Sequence, residues 1–146
     1  MAGWDGVAVV GKASVPVWIN IVNDTVTIED GEGVWGLDTM EAQQEIWRRV
    51  RAGTRWGHWM ALEDKSYTTQ RPAVVTCGPC GENLSRIGSL VHDGSHGAGQ
   101  GGFGGVFGSK NLKAISVLGT GNVEVADPQG LLELRLKQKY EQHHNV

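Results

Sequence analysis

The sequence is short of cysteine, of proline and of any cationic surplus, and it contains no long apolar run. Two cysteines among 146 residues cannot build a disulfide framework, and no basic stretch followed by an apolar one opens the chain. The expected location is therefore the reducing cytoplasm. Four prolines exclude a Pro-rich linker and a collagen repeat. Thirteen basic against sixteen acidic residues leave a net charge of −3, where a nucleic-acid binder should show a basic excess or stripe. No segment approaches the ~18 apolar residues of a membrane-spanning helix, so a soluble chain is expected. What is abundant is glycine, 22 residues, roughly twice the ~7% usual in globular proteins. Some local region needs bare backbone. The apolar fraction of 40%, with six tryptophans, suffices for the core of one small domain or of part of a larger one.

Gly6–Val10 is a short apolar run closed by Gly11, and Val15–Val22 is β-branched with a proline near its start. Both read as strands. Asn23-Asp24 separates the second from Thr25–Glu29, which alternates cleanly, so the two should form a hairpin with Val26 and Ile28 facing the core. Asp38 with Glu41 three residues on predicts a capped helix with Met40, Ile46, Trp47 and Val50 as its apolar stripe, ended by Gly53. Residues 54–71 show no period and read as a loop or insertion. Further strands are expected at Pro72–Thr76, Ile87–Val91 and Leu112–Leu118, and a short helical turn at Glu82–Arg86. Asp127-Pro128 opens a last helix carrying Leu132, Leu136 and Tyr140. Strands with helices between and after them make an α+β fold, without a repeat of solenoid length.

Three constellations could carry chemistry. Cys77-Gly78-Pro79-Cys80 is a C-x-x-C between a strand and a helical turn, similar to the thioredoxin active-site sequence, where a thiolate is stabilised at a helix N-terminus and a second thiol resolves the mixed disulfide. Thr76 stands where thioredoxins carry an aromatic residue, and no proline is placed to serve as their cis-proline. A zinc site would need distant ligands such as His92 and His96; otherwise these are two small thiols in a tight turn. Gly97–Gly102 satisfies G-x-G-x-x-G, but Asp93–His96 intervenes after the strand, Phe103–Gly108 has too many glycines for a helix stable alone, and no acidic residue stands at the required distance. Gly108-Ser109-Lys110 reverses the order of a phosphate-binding P-loop. Seven of the twelve residues from Gly97 to Gly108 are glycine, so backbone amides can approach a bulky or anionic ligand, and Phe103, Val106 and Phe107 make a flexible linker the weaker reading. Among the remaining histidines, His92 and His96 are separated by turn residues and need not share a face, His58 falls in the unplaced loop, and His143 and His144 lie in a polar tail.

One pattern connects these segments: Ala2-Gly3-Trp4-Asp5, Gly78–Leu84, His92-Asp93-Gly94, and Gly99–Ile115 with its Gly-Ser-Lys-Asn-Leu-Lys-Ala-Ile string. Together they resemble the N-terminal domain of the aldehyde:ferredoxin oxidoreductase family, tungsten or molybdenum bis-pterin enzymes that also carry a [4Fe-4S] cluster. The resemblance runs from Ala2 to the helix after Pro128. It implies mixed or antiparallel sheets with short helices and a C-terminal linker helix. Residues 1–120 would be a partial pterin-binding domain, and residues 121–146 a helix leading into a second domain.

The resemblance also implies site residues. The family's turn reads apolar-Gly-Pro-Ala-Gly-Glu-Asn, so Cys77 and Cys80 become substitutions within it. Its loop reads Arg-Ala-Ala-Gly-Arg-Gly-Gly, and the cofactor-touching positions correspond to His96, Gly97, Gly99 and Gln100. Both arginines are thus replaced, and with them the bidentate, permanently charged contacts that suit phosphate. The tungstopterin or molybdopterin would carry the chemistry, with ferredoxin or a similar electron-transfer protein, the remaining domains of the enzyme and another copy of it as partners. The resemblance implies that the [4Fe-4S] ligands and the acid–base residues lie outside this chain, and two cysteines could not supply four thiolates. The isolated chain is expected to be an inactive fragment, and a small thiol–disulfide protein is the alternative.

Overall fold

The computed structural model describes residues 1–94 and 96–144, the side chains of 142–144 excepted. Its elements are β1 (Val17–Val22), β2 (Thr25–Asp30), α1 (Thr39–Val50), β3 (Met60–Ala61), β4 (Tyr67–Thr68), β5 (Ala73–Cys77), α2 (Pro79–Glu82), β6 (Leu90–His92), β7 (His96–Ala98), α3 (Phe103–Ser109), β8 (Leu112–Leu118) and α4 (Pro128–His144). Six strands form one sheet in the order β2-β1-β8-β5-β6-β7, and β3 pairs with β4. Only the β1–β8 pairing is parallel among the described strands. The architecture is the expected α+β class with a mixed sheet.

Helix α1 begins as its sequence dictates. Asp38 Oδ1 accepts from the Met40 and Glu41 amides at 2.8 Å each, and Glu41 Oε2 accepts from the Asp38 amide at 3.2 Å. The helix lies over one sheet face, where Trp18, Val34, Ala42, Ile46, Val74 and Ala114 form the core, with Leu37, Trp47 and Val50 against it. Truncating the fully buried Ile46 to alanine would cost about 2–5 kcal/mol. Met40, assigned to the same stripe from sequence, is 45% exposed; its sulfur instead lies beside Gly94.

The hairpin β1–β2 forms, but Val26 and Ile28 are exposed rather than in the core. They pair with Ile21 and Ile19, away from the Trp18 face that α1 covers, on the terminal strand of the sheet. Gly6–Val10 is not a strand: it joins no ladder, and Val10 is almost wholly exposed. Apolar, β-branched composition favours extension but cannot supply a partner edge. The expected Ile87–Val91 strand is confined to β6, with Ile87 exposed, and the helical turn falls on α2 rather than on Glu82–Arg86. Proline at the first helical position and Gly78 before it set that earlier start.

Residues 54–71 are organised by a side chain outside them. The buried Arg51 guanidinium donates to the carbonyls of Thr54 (3.0 Å), Arg55 (3.1 Å), His58 (2.8 Å) and Gln70. It therefore pins both ends of the segment, and β3–β4 spans the middle. Helix α4 is capped by Asp127, which accepts from the Gly130 amide at 2.9 Å. Its Leu132, Leu136 and Tyr140 are more than half exposed. No described helix is long and apolar enough to cross a membrane.

Candidate cofactor-facing loop

The site rests on a platform built from two glycine-rich motifs. Helix α3 forms despite its glycines because they let its backbone press against α2 and the turn that follows it. A Cβ on Gly108 would lie 2.0 Å from the Gly81 carbonyl oxygen, one on Gly81 2.6 Å from that of Gly104, and one on Gly104 2.7 Å from that of Ser89. Close packing replaces the helix propensity that glycine lacks. At the start of α3, Gly102 adopts φ 69°, in the left-handed region, with its Cα against the Arg86 backbone.

A buried ion pair locks this platform. Lys113, wholly buried on β8, binds the Glu82 carboxylate and donates to the Leu37 carbonyl at 2.7 Å. Both Glu82 oxygens accept from the Gly36 amide at 3.0 Å. The Gly-Glu-Asn turn, the Lys-Ala-Ile strand and the entry to α1 thus meet at one point. Next to it, Lys110 Nζ donates to the Gly11 carbonyl (2.9 Å) and Asn111 Nδ2 to that of Ala13 (2.8 Å), tying the same motif to the N-terminal segment. These structural roles were not identified from sequence, although Glu82, Lys110, Asn111 and Lys113 all stand within the motifs that carry the family resemblance.

On this platform stands an open loop. The β6–β7 hairpin pairs Leu90 with Ala98, Val91 with Gly97 and His92 with His96. The short strand His96–Ala98 replaces the turn-and-loop reading of the sequence. Buried Gln43 of α1 positions the hairpin, its side-chain oxygen accepting from the Gly94 amide at 3.1 Å. His92 and His96, which need not have met, stack at 5.2 Å between ring centroids. His96, Gly97, Gly99 and Gln100, the four positions matched to the cofactor-touching residues, are all exposed on this edge strand and the turn after it. A Cβ added at Gly97 would meet nothing nearer than 3.7 Å, and one at Gly99 nothing nearer than 3.4 Å. A concavity of about 800 Å³ lies elsewhere, lined by residues 1–7 and 120–123 together with Ile21, Asn23 and Asp64 among others.

The other constellations do not assemble. Cys77 is fully buried, its sulfur 3.7 Å from the Leu112 carbonyl oxygen, and burial pushes its thiol up to about 11 against the opposing influence of Lys113. A thiol–disulfide nucleophile needs the opposite shift, so the geometry opposes the thioredoxin-like alternative; Cys80 is exposed. Among the described residues no group of three or more His, Cys, Asp or Glu is placed to hold a metal ion. The dinucleotide reading fails too, because Gly97 lies inside an edge strand rather than at a strand-to-helix turn. His58 is exposed; the side chains of His143 and His144 lie outside the described residues.

Comparison with known proteins places these motifs. The aldehyde ferredoxin oxidoreductase N-terminal domain model matches residues 1–119. A tungsten-containing aldehyde ferredoxin oxidoreductase of Pyrococcus horikoshii is 38% identical over 140 residues, covering 96% of this chain and 20% of that protein. Its Pyrococcus furiosus namesake is 36% identical over 128 residues, covering 88% and 18%. An aliphatic sulfonate oxidoreductase, WOR-like subunit, of Pyrococcus furiosus is 37% identical over 129 residues, covering 88% and 20%. Among solved structures, the active-site complex BamBC of benzoyl coenzyme A reductase with 1,5-dienoyl-CoA superposes with a TM-score of 0.69 at 30% identity, covering 92% of this chain and 18% of that one. The chain thus spans about a fifth of the length of its curated relatives. With glycine-packed α2–α3, the Glu82–Lys113 lock and the exposed hairpin all falling inside the matched residues, the chain belongs to the aldehyde ferredoxin oxidoreductase N-terminal domain family.

Proposed function

We propose that this chain forms part of a tungsten-dependent oxidoreductase and that its loop His96–Gln100 faces the pterin cofactor. The observation that carries this reading is the space at Gly97 and Gly99. The glycines at 102, 104, 105 and 108 are required by the chain's own backbone, against which a Cβ would lie at 2.2–2.9 Å, or closer still at 108. Those at 97 and 99 meet no such demand. Bare backbone there suits a ligand that the chain does not itself provide, and the residues fit one with anionic groups: exposed amides and two polar side chains on an open edge.

Gly97 and Gly99 would let the cofactor approach the backbone, and His96 and Gln100 would donate side-chain hydrogen bonds to its polar groups. Gln43 fixes the hairpin that carries them, and the Glu82–Lys113 pair fixes the platform beneath. The bound tungstopterin would supply two-electron oxidation of an aldehyde or related oxo group. This chain contributes binding, orientation and exclusion of water.

In this reading residues 1–120 are the cofactor-facing part and residues 121–146 connect onward. A molybdenum form of the cofactor fits the same loop. Any [4Fe-4S] cluster is held by the remaining domains, and a ferredoxin or similar iron–sulfur protein accepts the electrons. The setting is the cytoplasm, with self-association of the complete enzyme; by itself the chain would be inactive.

The test is Gly97→Val in the enzyme that contains this chain, read as tungsten by elemental analysis and as pterin by fluorescence of its oxidised form. We expect at least a several-fold loss of both with an unchanged unfolding midpoint. Full metal and pterin content in the variant would remove the loop from the cofactor.

A further inference from the structure

We infer that residues 54–71, with Trp47 beside them, form a docking surface for an acidic segment of a separate protein, a role that the cofactor reading does not use. These residues supply none of the core that α1 covers, and their two strands pair only with each other. The segment is nevertheless held in one shape, because the buried Arg51 guanidinium is committed to four of the carbonyls at its two ends. On that frame stand Trp56, 69% exposed, and Trp59, 73% exposed. Tryptophan and arginine held together in solvent are the composition of binding hot spots, and a surface ordered in advance loses less entropy when a partner arrives.

The charges define the partner. The Arg71 guanidinium lies over the Trp47 ring, 4.2 Å from its centroid, and 5.5 Å from that of Trp56. Trp47 is itself fixed, its indole N–H donating to the Pro72 carbonyl at 2.9 Å. The two rings hold the guanidinium in place without using its N–H groups: Arg71 makes no hydrogen bond or ion pair among the described residues. Trp47, Trp56 and Arg71 line a groove of about 240 Å³ together with Arg48 and Arg51, and no acidic side chain lines it. Arg48 is balanced by Glu45 at 2.6 Å. Arg51 meets only carbonyls and Arg71 meets no acceptor, so two positive charges stand uncompensated in a chain of net charge −3. Pockets for whole ligands run ~300–1,000 Å³, so this smaller groove suits side chains: a carboxylate paired with Arg71 and an apolar neighbour against Trp56. A second copy docking through the same face would set these cations against themselves across a two-fold axis. Permanent contact with the rest of the enzyme would be more apolar, like a core cut in half. A separate acidic protein that binds and leaves satisfies both the charge and the exposure.

The experiment uses the complete enzyme that contains this chain. A fluorescein-labelled peptide, Glu-Glu-Leu-Glu-Glu-Phe, is titrated by fluorescence anisotropy beside its counterpart with lysine in place of glutamate. Saturable binding of the acidic peptide alone is expected, weakening as salt is raised. Arg71→Gln and Trp56→Ala should each weaken it at least about fivefold, and Arg71→Lys by less than Arg71→Gln, because the charge remains. Mass by light scattering, unfolding midpoint and tungsten content should stay unchanged in all three, since none of them alters the cofactor loop. No saturable binding, or equal binding of the lysine peptide, would overturn the proposal. Undiminished binding in both Arg71→Gln and Trp56→Ala would overturn the assignment to this groove. A fall in mass or in unfolding midpoint in these variants would make the surface a contact within the enzyme or between its copies, and would overturn the separate partner.

Discussion

Gly99 and Gly108 belong to one glycine-rich stretch, yet a methyl group added at Gly108 would fall 2.0 Å from a carbonyl oxygen, while one added at Gly99 would come no nearer than 3.4 Å to a serine hydroxyl. The C-terminal half of the stretch is glycine for the chain's own sake: α3 has to press its backbone against α2. Gly97 and Gly99, at its N-terminal end, have no such internal reason. Glycine-rich composition read as a whole thus merges two different physical demands, and only the space around each Cα separates them.

The sharpest way to break the comparison is Gly108→Ala. Helix propensity alone favours alanine by about 1 kcal/mol, so the sign of the effect reports the packing. With the Gly81 carbonyl in the way, α3 must lift off α2, and we expect a loss of more than 3 kcal/mol or failure to fold cooperatively, measured by urea unfolding. A stabilised variant would mean that the packed half is no more constrained than the open one.

Nearly as large is the effect expected from the ion pair under the packed half. Lys113→Met leaves Glu82 buried without its cation and should cost about 3–5 kcal/mol. Adding Glu82→Gln to it should recover part of that loss, because no uncompensated charge then stays buried. Chemical denaturation of the two single variants and the double one gives the coupling. Additive losses would show that the two side chains act independently.

Much of this arrangement was legible in the sequence, and what was not has a common cause. The capping box of α1, the β1–β2 hairpin and the central strand β8 depend on residues close together in the chain, and they appear where expected. Val26 and Ile28 share a face, as their alternation requires, but they lie on an end strand on the face that α1 leaves uncovered, so the expectation that they face the core fails. Gly6–Val10 has the composition of a strand without an edge to join. His96-Gly97-Ala98 has no strand pattern, and its pairing is imposed by β6 across the turn. The order of residues 54–71 depends on one arginine outside them, whose four carbonyl partners leave no trace in residue type. The four loop positions rest on resemblance alone; sequence could not show that they stand exposed on an edge strand and the turn after it.

The two cysteines sharpen the contrast between covered and open surface. Cys77 lies under the packed half, where a Cβ on Gly81 would come within 2.9 Å of its own Cβ, whereas Cys80 is exposed on α2. With burial holding the Cys77 thiol up at about 11, only about a thousandth of it is thiolate at pH 8. A disulfide reagent at that pH should label one thiol per chain, Cys80, with Cys77 slower by at least two orders of magnitude until the chain is unfolded. Labelling of both at similar rates would mean that the α2–α3 packing opens readily.

The smallest effect expected is the most informative about function. Gly99→Ala places its methyl in ordinary van der Waals range of Ser89 Oγ, at a residue outside the positive-φ set. Folding stability should therefore change by no more than about 0.5 kcal/mol, with a slight gain if the lost freedom of the unfolded chain dominates. The same substitution in the complete enzyme should lower tungsten and pterin content, because the methyl then stands between the backbone and its ligand. A stability cost comparable to that of Gly108→Ala would assign both halves to internal packing. An unchanged stability joined to an unchanged cofactor content would leave the open half without a ligand, so it is the pairing of a null effect on folding with a measurable effect on loading that distinguishes a glycine kept for a guest from one kept for its own fold.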